Sequence, residues 1–167
     1  MSWSRGLLLG SPLLASCGFQ PLYAEHGDVA AADQLAAVRI EPLPDRSGQV
    51  LYNALLDGLN PLGRPASPEY LLRIRLDETS ERLALRTDET ETRVNVTITA
   101  SFQLFPIEGK EPVFQGVSRT TTAYNVLTSP YATLTSSEDA LSRAQGDLAR
   151  EICQRLAIFL TRQASAD

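Results

Sequence analysis

The chain has 167 residues, 43% of them hydrophobic, and a formal net charge of −5. That is one domain's worth of chain with enough apolar residues for an ordinary core. The acidic balance argues against a nucleic-acid partner and against a polybasic membrane-binding surface.

The chain opens on a leader-like stretch. Arg5 supplies a positive n-region, and Gly6 to Leu14 is a short apolar run. A permanent transmembrane helix needs ~20 apolar residues, so this run is too short to be one. It ends in Leu14-Ala15-Ser16-Cys17, which resembles a bacterial lipobox. Ala15 and Ser16 place small side chains beside a scissile bond, and the Cys17 thiol is the nucleophile for diacylglyceryl transfer. An ordinary cleaved leader with a chance cysteine is the alternative, and the agreement of apolar run and cleavage-site residues favours the lipobox. Residues 1–16 therefore read as a lipoprotein signal peptide, and Cys17 as the lipidation site. Without the leader, 14 basic residues face 20 acidic ones, a balance of −6. With Cys17 lipidated, Cys153 has no partner, so no intrachain disulfide is expected even in an oxidising compartment. Cys153 falls in a helical pattern and reads as a small buried hydrophobe.

Residues 17–34 read as a tether, polar and Ala-rich after Ala24. The segment Phe19-Gln20-Pro21-Leu22-Tyr23 is unusually apolar for a linker. It rests on the membrane, rests on its own domain, or packs on a partner, and the sequence leaves these open. Residues 35–163 read as a single domain and 164–167 as a tail.

Within the domain, Val38-Arg39-Ile40 is a short strand stopped by Pro42 and Pro44. Asp45-Arg46-Ser47 offers helix N-cap side chains. Val50, Leu51, Ala54, Leu55 and Leu59 then recur at helical spacing, and Gly58, Pro61 and Gly63 end that helix. Tyr70 to Leu76 alternates as a half-buried strand. Glu78 to Glu81 interrupts the alternation, Leu83 and Leu85 resume it, and Thr87-Asp88-Glu89 is a turn. Arg93 to Phe105 is the clearest strand: Val94, Val96, Ile98, Ala100, Phe102 and Leu104 share one face, with Arg93, Asn95, Thr97, Thr99, Ser101 and Gln103 on the other. Pro106 to Pro112 is a hairpin loop. Val113 to Leu127 is a Thr-rich edge strand with Gly116 as a candidate bulge. Ser129-Pro130-Tyr131 ends the sheet. Thr135 with Glu138 has the capping-box pattern, and the last helix carries the stripe Leu141, Ala144, Leu148, Ile152, Leu156 and Phe159.

The order β-α-β-β-β-α predicts an α+β fold. It is a two-layer sandwich of a mostly antiparallel four-stranded sheet with two helices on one face. The first strand pairs parallel across the helical crossover. The other sheet face is left polar: the face of a solvated antiparallel sheet, or one that meets a water-lined partner surface.

These pieces together resemble the LptE family of lipopolysaccharide-assembly lipoproteins, in its alphaproteobacterial form. The resemblance is carried by the lipobox running into Cys17-Gly18-Phe19-Gln20-Pro21-Leu22-Tyr23, Asp45-Arg46-Ser47-Gly48-Gln49 with Asn53-Ala54-Leu55-Leu56, and Thr92-Arg93-Val94-Asn95-Val96. Tyr124-Asn125, Tyr131-Ala132 and Asp139-Ala140-Leu141-Ser142-Arg143-Ala144 through Leu148-Ala149 to Ile152 complete it. It covers nearly all of the chain after the leader. It implies a non-enzymatic outer-membrane lipoprotein on the periplasmic face. Such a protein enters the lumen of the LptD β-barrel, helps it assemble, and binds lipopolysaccharide in transit. Gly18 beside the lipidated cysteine, where Asp would retain an inner-membrane lipoprotein, fits sorting to the outer membrane. The resemblance also implies basic lipid contacts near one end of the sheet. Arg86 is the candidate, with Arg82 nearby, because a cation there meets lipid A phosphates by charge-assisted hydrogen bonds. Thr133 to Ser137 has no Lys or Arg where a second basic residue is expected.

No catalytic constellation is legible. The only histidine, His26, lies in the tether, and no Cys/His set has metal-ligand spacing. Asp88, Glu89 and Glu91 match no calcium loop and read as a charged hairpin tip. No cofactor is expected beyond the covalent lipid. Two rival readings remain: a periplasmic lipoprotein that binds an amphiphile, favoured by a deep apolar cavity, and an accessory subunit of the general β-barrel assembly machine.

Overall fold

The computed structural model describes residues 35–61, 63–84 and 92–164. Six elements follow in the expected order: β1 (Val38–Ile40), α1 (Asp45–Leu59), β2 (Tyr70–Ala84), β3 (Thr92–Pro106), β4 (Phe114–Val126) and α2 (Pro130–Ala164). The four strands form one sheet in the order β1-β2-β3-β4. β1 runs parallel to β2, and the other two pairings are antiparallel. The two-layer α+β architecture read from the sequence is the one observed.

β3 is the centre of the sheet because its alternation is complete. Val94, Val96, Ile98, Ala100, Phe102 and Leu104 are all buried under the helices. Each large aliphatic side chain so covered contributes ~1.5–3 kcal/mol relative to exposure. α1 brings Leu51, Tyr52, Leu55 and Leu59 to this core, and α2 brings Ala144, Leu148, Ile152, Leu156 and Leu160. On α2 the buried positions recur every four residues. That ridge is inclined ~26° to the helix axis, so a long helix can follow a twisted sheet. The drift explains the end of the stripe: Leu160 is fully buried, while Phe159 turns aside and stacks on Phe114 of the edge strand at 4.7 Å.

Several boundaries differ from the sequence reading. β2 is one uninterrupted strand, paired in register with β3 from Tyr70 opposite Pro106 to Ala84 opposite Thr92. Its alternation changes at Glu78 because α1 begins there, and beyond it the helix-side positions Glu78, Ser80 and Arg82 are exposed. β4 has no bulge at Gly116. Its pairing with β3 is continuous, and Gly116 sits opposite Phe102, where an added Cβ would lie 2.6 Å from the ring. Gly58 lies inside α1 rather than ending it, and an added Cβ there would lie 2.8 Å from the Cys153 sulfur. α2 starts at Pro130, not near Thr135. Proline suits a first helical position because its missing N–H would be unpaired there anyway. Thr135 instead donates its hydroxyl to the Tyr131 carbonyl within the helix, at 3.1 Å. At the start of α1, Asp45 is the residue that caps. It adopts φ 63° and its Oδ1 accepts the Gly48 N–H at 2.8 Å. The predicted turn at Thr87 to Glu89, and the carboxylates Asp88, Glu89 and Glu91, lie outside the described residues.

Candidate interaction surfaces

Of the three residues singled out for function, Cys17 and Arg86 lie outside the described residues. Arg82 is described. It sits near the far end of β2, opposite Val94, which in turn lies opposite Tyr124. This row belongs to the helix-bearing side, but α1 does not reach it, so the Arg82 guanidinium is exposed. It makes no ion pair with a described residue.

The same end of the molecule carries apolar side chains in the open. Leu83, Val126, Leu127, Tyr131 and Leu134 are all exposed, Tyr131 by 78%. Leu83 stands on β2, and the other four flank the joint between β4 and α2. The Thr133 hydroxyl accepts the Leu127 N–H at 2.8 Å and lies 3.2 Å from both the Leu127 and Ser129 carbonyls. A single threonine therefore locks strand to helix and fixes where Leu127, Tyr131 and Leu134 emerge. Sequence reasoning missed both this latch and the apolar rim. The signal available was the run of apolar residues on either side of Ser129-Pro130, which reads as a strand end when the helix is started five residues late.

The second surface is the sheet face that neither described helix covers. Its rows across β2, β3 and β4 are Arg73–Gln103–Gln115, Asp77–Thr99–Arg119 and Thr79–Thr97–Thr121. Thr97 and Thr121 share a hydrogen bond at 3.2 Å, and the Arg119 Nε donates to Thr99 Oγ1 at 3.3 Å. Arg73 is paired with Glu41 at 2.9 Å while its guanidinium lies over the Phe105 ring at 4.7 Å. This face offers donors and acceptors already partly satisfied within the sheet, which suits a wet contact better than a dry one.

A third feature lies between the helices, where the start of α1 meets the first half of α2. A cleft of ≈ 430 Å³ opens there, bordered by Val50, Leu134 and Leu141. Its polar wall is a short relay. Gln145 Nε2 donates to Ser47 Oγ at 2.6 Å, and Ser47 Oγ donates to Glu78 Oε2 at 3.2 Å. Arg46 and Glu138 pair at 2.9 Å between the two helices. The layers themselves are packed by the side chains of the core, and this cleft opens at their margin.

Among the described residues no group of three or more His, Cys, Asp or Glu side chains could hold a metal ion. The Cys153 thiol is pushed up to about 11, chiefly by burial against α1, with a backbone hydrogen bond opposing. It is a packing thiol, as its place in the helical pattern suggested. His26 lies outside the described residues.

Fold and surfaces together define a class: a small two-layer α+β domain with an exposed polar sheet face and an apolar-rimmed end. Several solved structures share this fold, among them three lipoproteins. A putative lipoprotein from Caulobacter crescentus is 23% identical with a TM-score of 0.69, over 80% of this chain and 96% of the other. A minor lipoprotein from Acinetobacter baumannii is 18% identical with a TM-score of 0.53, over 72% and 88%. The rare lipoprotein B from Shewanella oneidensis is 10% identical with a TM-score of 0.51, over 76% and 96%. No curated protein matches the chain. A family model for lipopolysaccharide assembly, LptE, matches residues 35–156. The chain belongs to the LptE family, a non-catalytic family, and its role lies in lipopolysaccharide assembly.

Proposed function

We propose that this chain is an outer-membrane lipoprotein, anchored by lipid at Cys17 on the periplasmic face. In this reading it seats in the lumen of an LptD-type β-barrel, helps that barrel assemble, and assists lipopolysaccharide on its way to the cell surface. The observation that carries the reading is the family match over residues 35–156, and the uncovered polar sheet face supports it. A protein inside a barrel lumen meets water and polar barrel-interior side chains, and the Thr, Gln and Arg rows suit that neighbour. The end bearing Arg82 suits the lipid: exposed apolar side chains beside an exposed guanidinium fit an acyl chain next to a phosphate. Arg86, four residues further along, is proposed as the main phosphate contact.

The test is a pull-down of C-terminally tagged protein from detergent-solubilised outer membrane. One dominant large barrel at near-equal amount, the lipopolysaccharide translocon, is the expected result. A spread of assembly-machine subunits, or no barrel, overturns the reading in favour of a general assembly factor or a free amphiphile carrier. Arg86→Glu is expected to lower lipopolysaccharide binding several-fold while barrel retrieval is unchanged. Equal lipid binding by that variant removes Arg86 from the site.

A further inference from the structure

A cleft of ≈ 300 Å³ opens beside the end of α1, between that helix and the β1 edge of the sheet. Its lining is chiefly apolar: Tyr52 and Leu56 of α1, Leu71 of β2, and the prolines Pro42 and Pro65. Three charged side chains border it as well, Arg39, Glu41 and Arg64. Glu41 is already paired with Arg73 at 2.9 Å. Arg39 and Arg64 are exposed, and neither forms an ion pair with a described residue. The Arg64 guanidinium lies 5.9 Å from the centre of the Tyr52 ring, a cation–π contact that holds it over the apolar lining. A chain with a net charge of −5 thus sets two uncompensated cations at the border of an apolar cleft.

These groups narrow the occupant. A peptide would bury backbone N–H and C=O groups against a lining that offers few polar partners. A hydrocarbon chain brings no such groups. The two guanidiniums call for an anion with several oxygens, and a phosphate takes charge-assisted hydrogen bonds from arginine. A zwitterionic headgroup carries its own cation to the arginines and is disfavoured. The volume is near the lower end for small-molecule sites, which leaves room for one chain rather than several. The cleft is also remote from the Arg82 end. Leu71 and Arg82 stand near opposite ends of β2, and at ~3.3 Å per residue they are roughly 36 Å apart along the strand.

We propose that this cleft is a second lipid site, which takes one acyl chain of an anionic glycerophospholipid and sets its phosphate on Arg39 and Arg64. The site is separate from the lipopolysaccharide contact proposed at the Arg82 end. It needs neither a barrel nor lipidation of Cys17. A phospholipid held there fastens the β1 end of the domain to a bilayer surface and leaves the Arg82 end to a different lipid.

The test places the full chain in phosphatidylcholine vesicles that carry a small fraction of phosphatidylglycerol with a diazirine at the end of one acyl chain. After irradiation the labelled residues are mapped by mass spectrometry. The expected labels fall on Tyr52, Leu56, Pro65 or Leu71. Phosphatidylcholine bearing the same diazirine should label them at least fivefold less. Arg39→Glu combined with Arg64→Glu, two exposed changes, should bring phosphatidylglycerol labelling down to that level. Arg162→Glu, an exposed change outside the lining, should leave it unchanged. Equal labelling by the two lipids overturns the proposal. So does labelling absent from the cleft, or an equal loss in Arg162→Glu, which would reduce the effect to overall charge. Unlabelled lipopolysaccharide or free fatty acid that displaces the probe better than unlabelled phosphatidylglycerol overturns it too, by giving the site to that lipid. Barrel retrieval in the pull-down is read separately, so loss of one result leaves the other standing.

Discussion

At the scale of single residues, close approaches decide more than charges do. Gly116 is an example. The sequence marked it as a candidate bulge, yet the strand runs straight, and the glycine is there because the Phe102 ring occupies the space of its side chain. Phe102 is 1% exposed and cannot move aside cheaply. Gly116→Ala is expected to lower unfolding free energy by about 1–3 kcal/mol, measured by urea denaturation, with part of the loss recovered in Gly116→Ala combined with Phe102→Leu. A glycine needed for a neighbour's volume looks, in sequence, like a glycine needed for its own backbone. Only the register distinguishes them. Cys153 was legible because a thiol in a helical stripe has one ordinary role. Its raised pKa has a checkable sign. Below the unfolded thiol's value of ~8.5 both states are protonated and pH does nothing. Above it the unfolded chain loses the proton while the folded one keeps it until about 11. Stability should therefore fall as pH rises through that window, and the Cys153→Ala variant should lose this component of the fall. Thiol alkylation of the native protein at pH 8 should be slower than that of the urea-unfolded chain by ~100-fold or more, since only the thiolate reacts.

At the scale of elements, the sequence reading was sound where one face was buried along its whole length and failed where cover ran out. β3 was read nearly to its ends because helices cover it throughout. β2 was split because its second half has no helix above it. Alternation in hydrophobicity reports burial, and a strand can continue after burial stops. The same reasoning explains α2. Its first turns, from Pro130, present Tyr131 and Leu134 to solvent, so the amphipathic stripe starts late and hides the true start. The helix is 35 residues, about 52 Å at 1.5 Å per residue, and its stabilising contacts lie in the covered part. Ile152→Ala is expected to cost ~2–5 kcal/mol in denaturant titration. Arg46→Ala, which removes an exposed pair with Glu138, should cost under ~1 kcal/mol. Comparable losses from the two would show that the helices are held by charge rather than by the core.

At the scale of the molecule, the layer arrangement was legible in full from the order of elements and two amphipathic helices. Of the candidate site, only Arg82 falls among the described residues. Arg82 could be placed on a strand, but its exposure depends on where α1 starts. The apolar rim beside it depends on the Thr133 latch, which joins residues six apart through a hydroxyl. An open cleft beside the end of α1 brings together residues from Arg39 to Leu71, and no local pattern announces it. The short parallel pairing of β1 carries one more consequence. β2, β3 and β4 form from neighbouring hairpins, but β1 must wait for a crossover through all of α1, and it is held to the sheet by only three residue pairs. Contacts made across a longer loop repay their closure entropy late. The β1 edge is therefore the last part of the sheet to assemble and the first to open. Amide hydrogens of Arg39 and Ile40 should exchange faster than those of Ile98 and Ala100 in the centre of β3. The wall that β1 lends to the cleft beside α1 is thus the latest-formed part of the sheet, and a molecule caught before β1 docks would already hold its three-stranded antiparallel core.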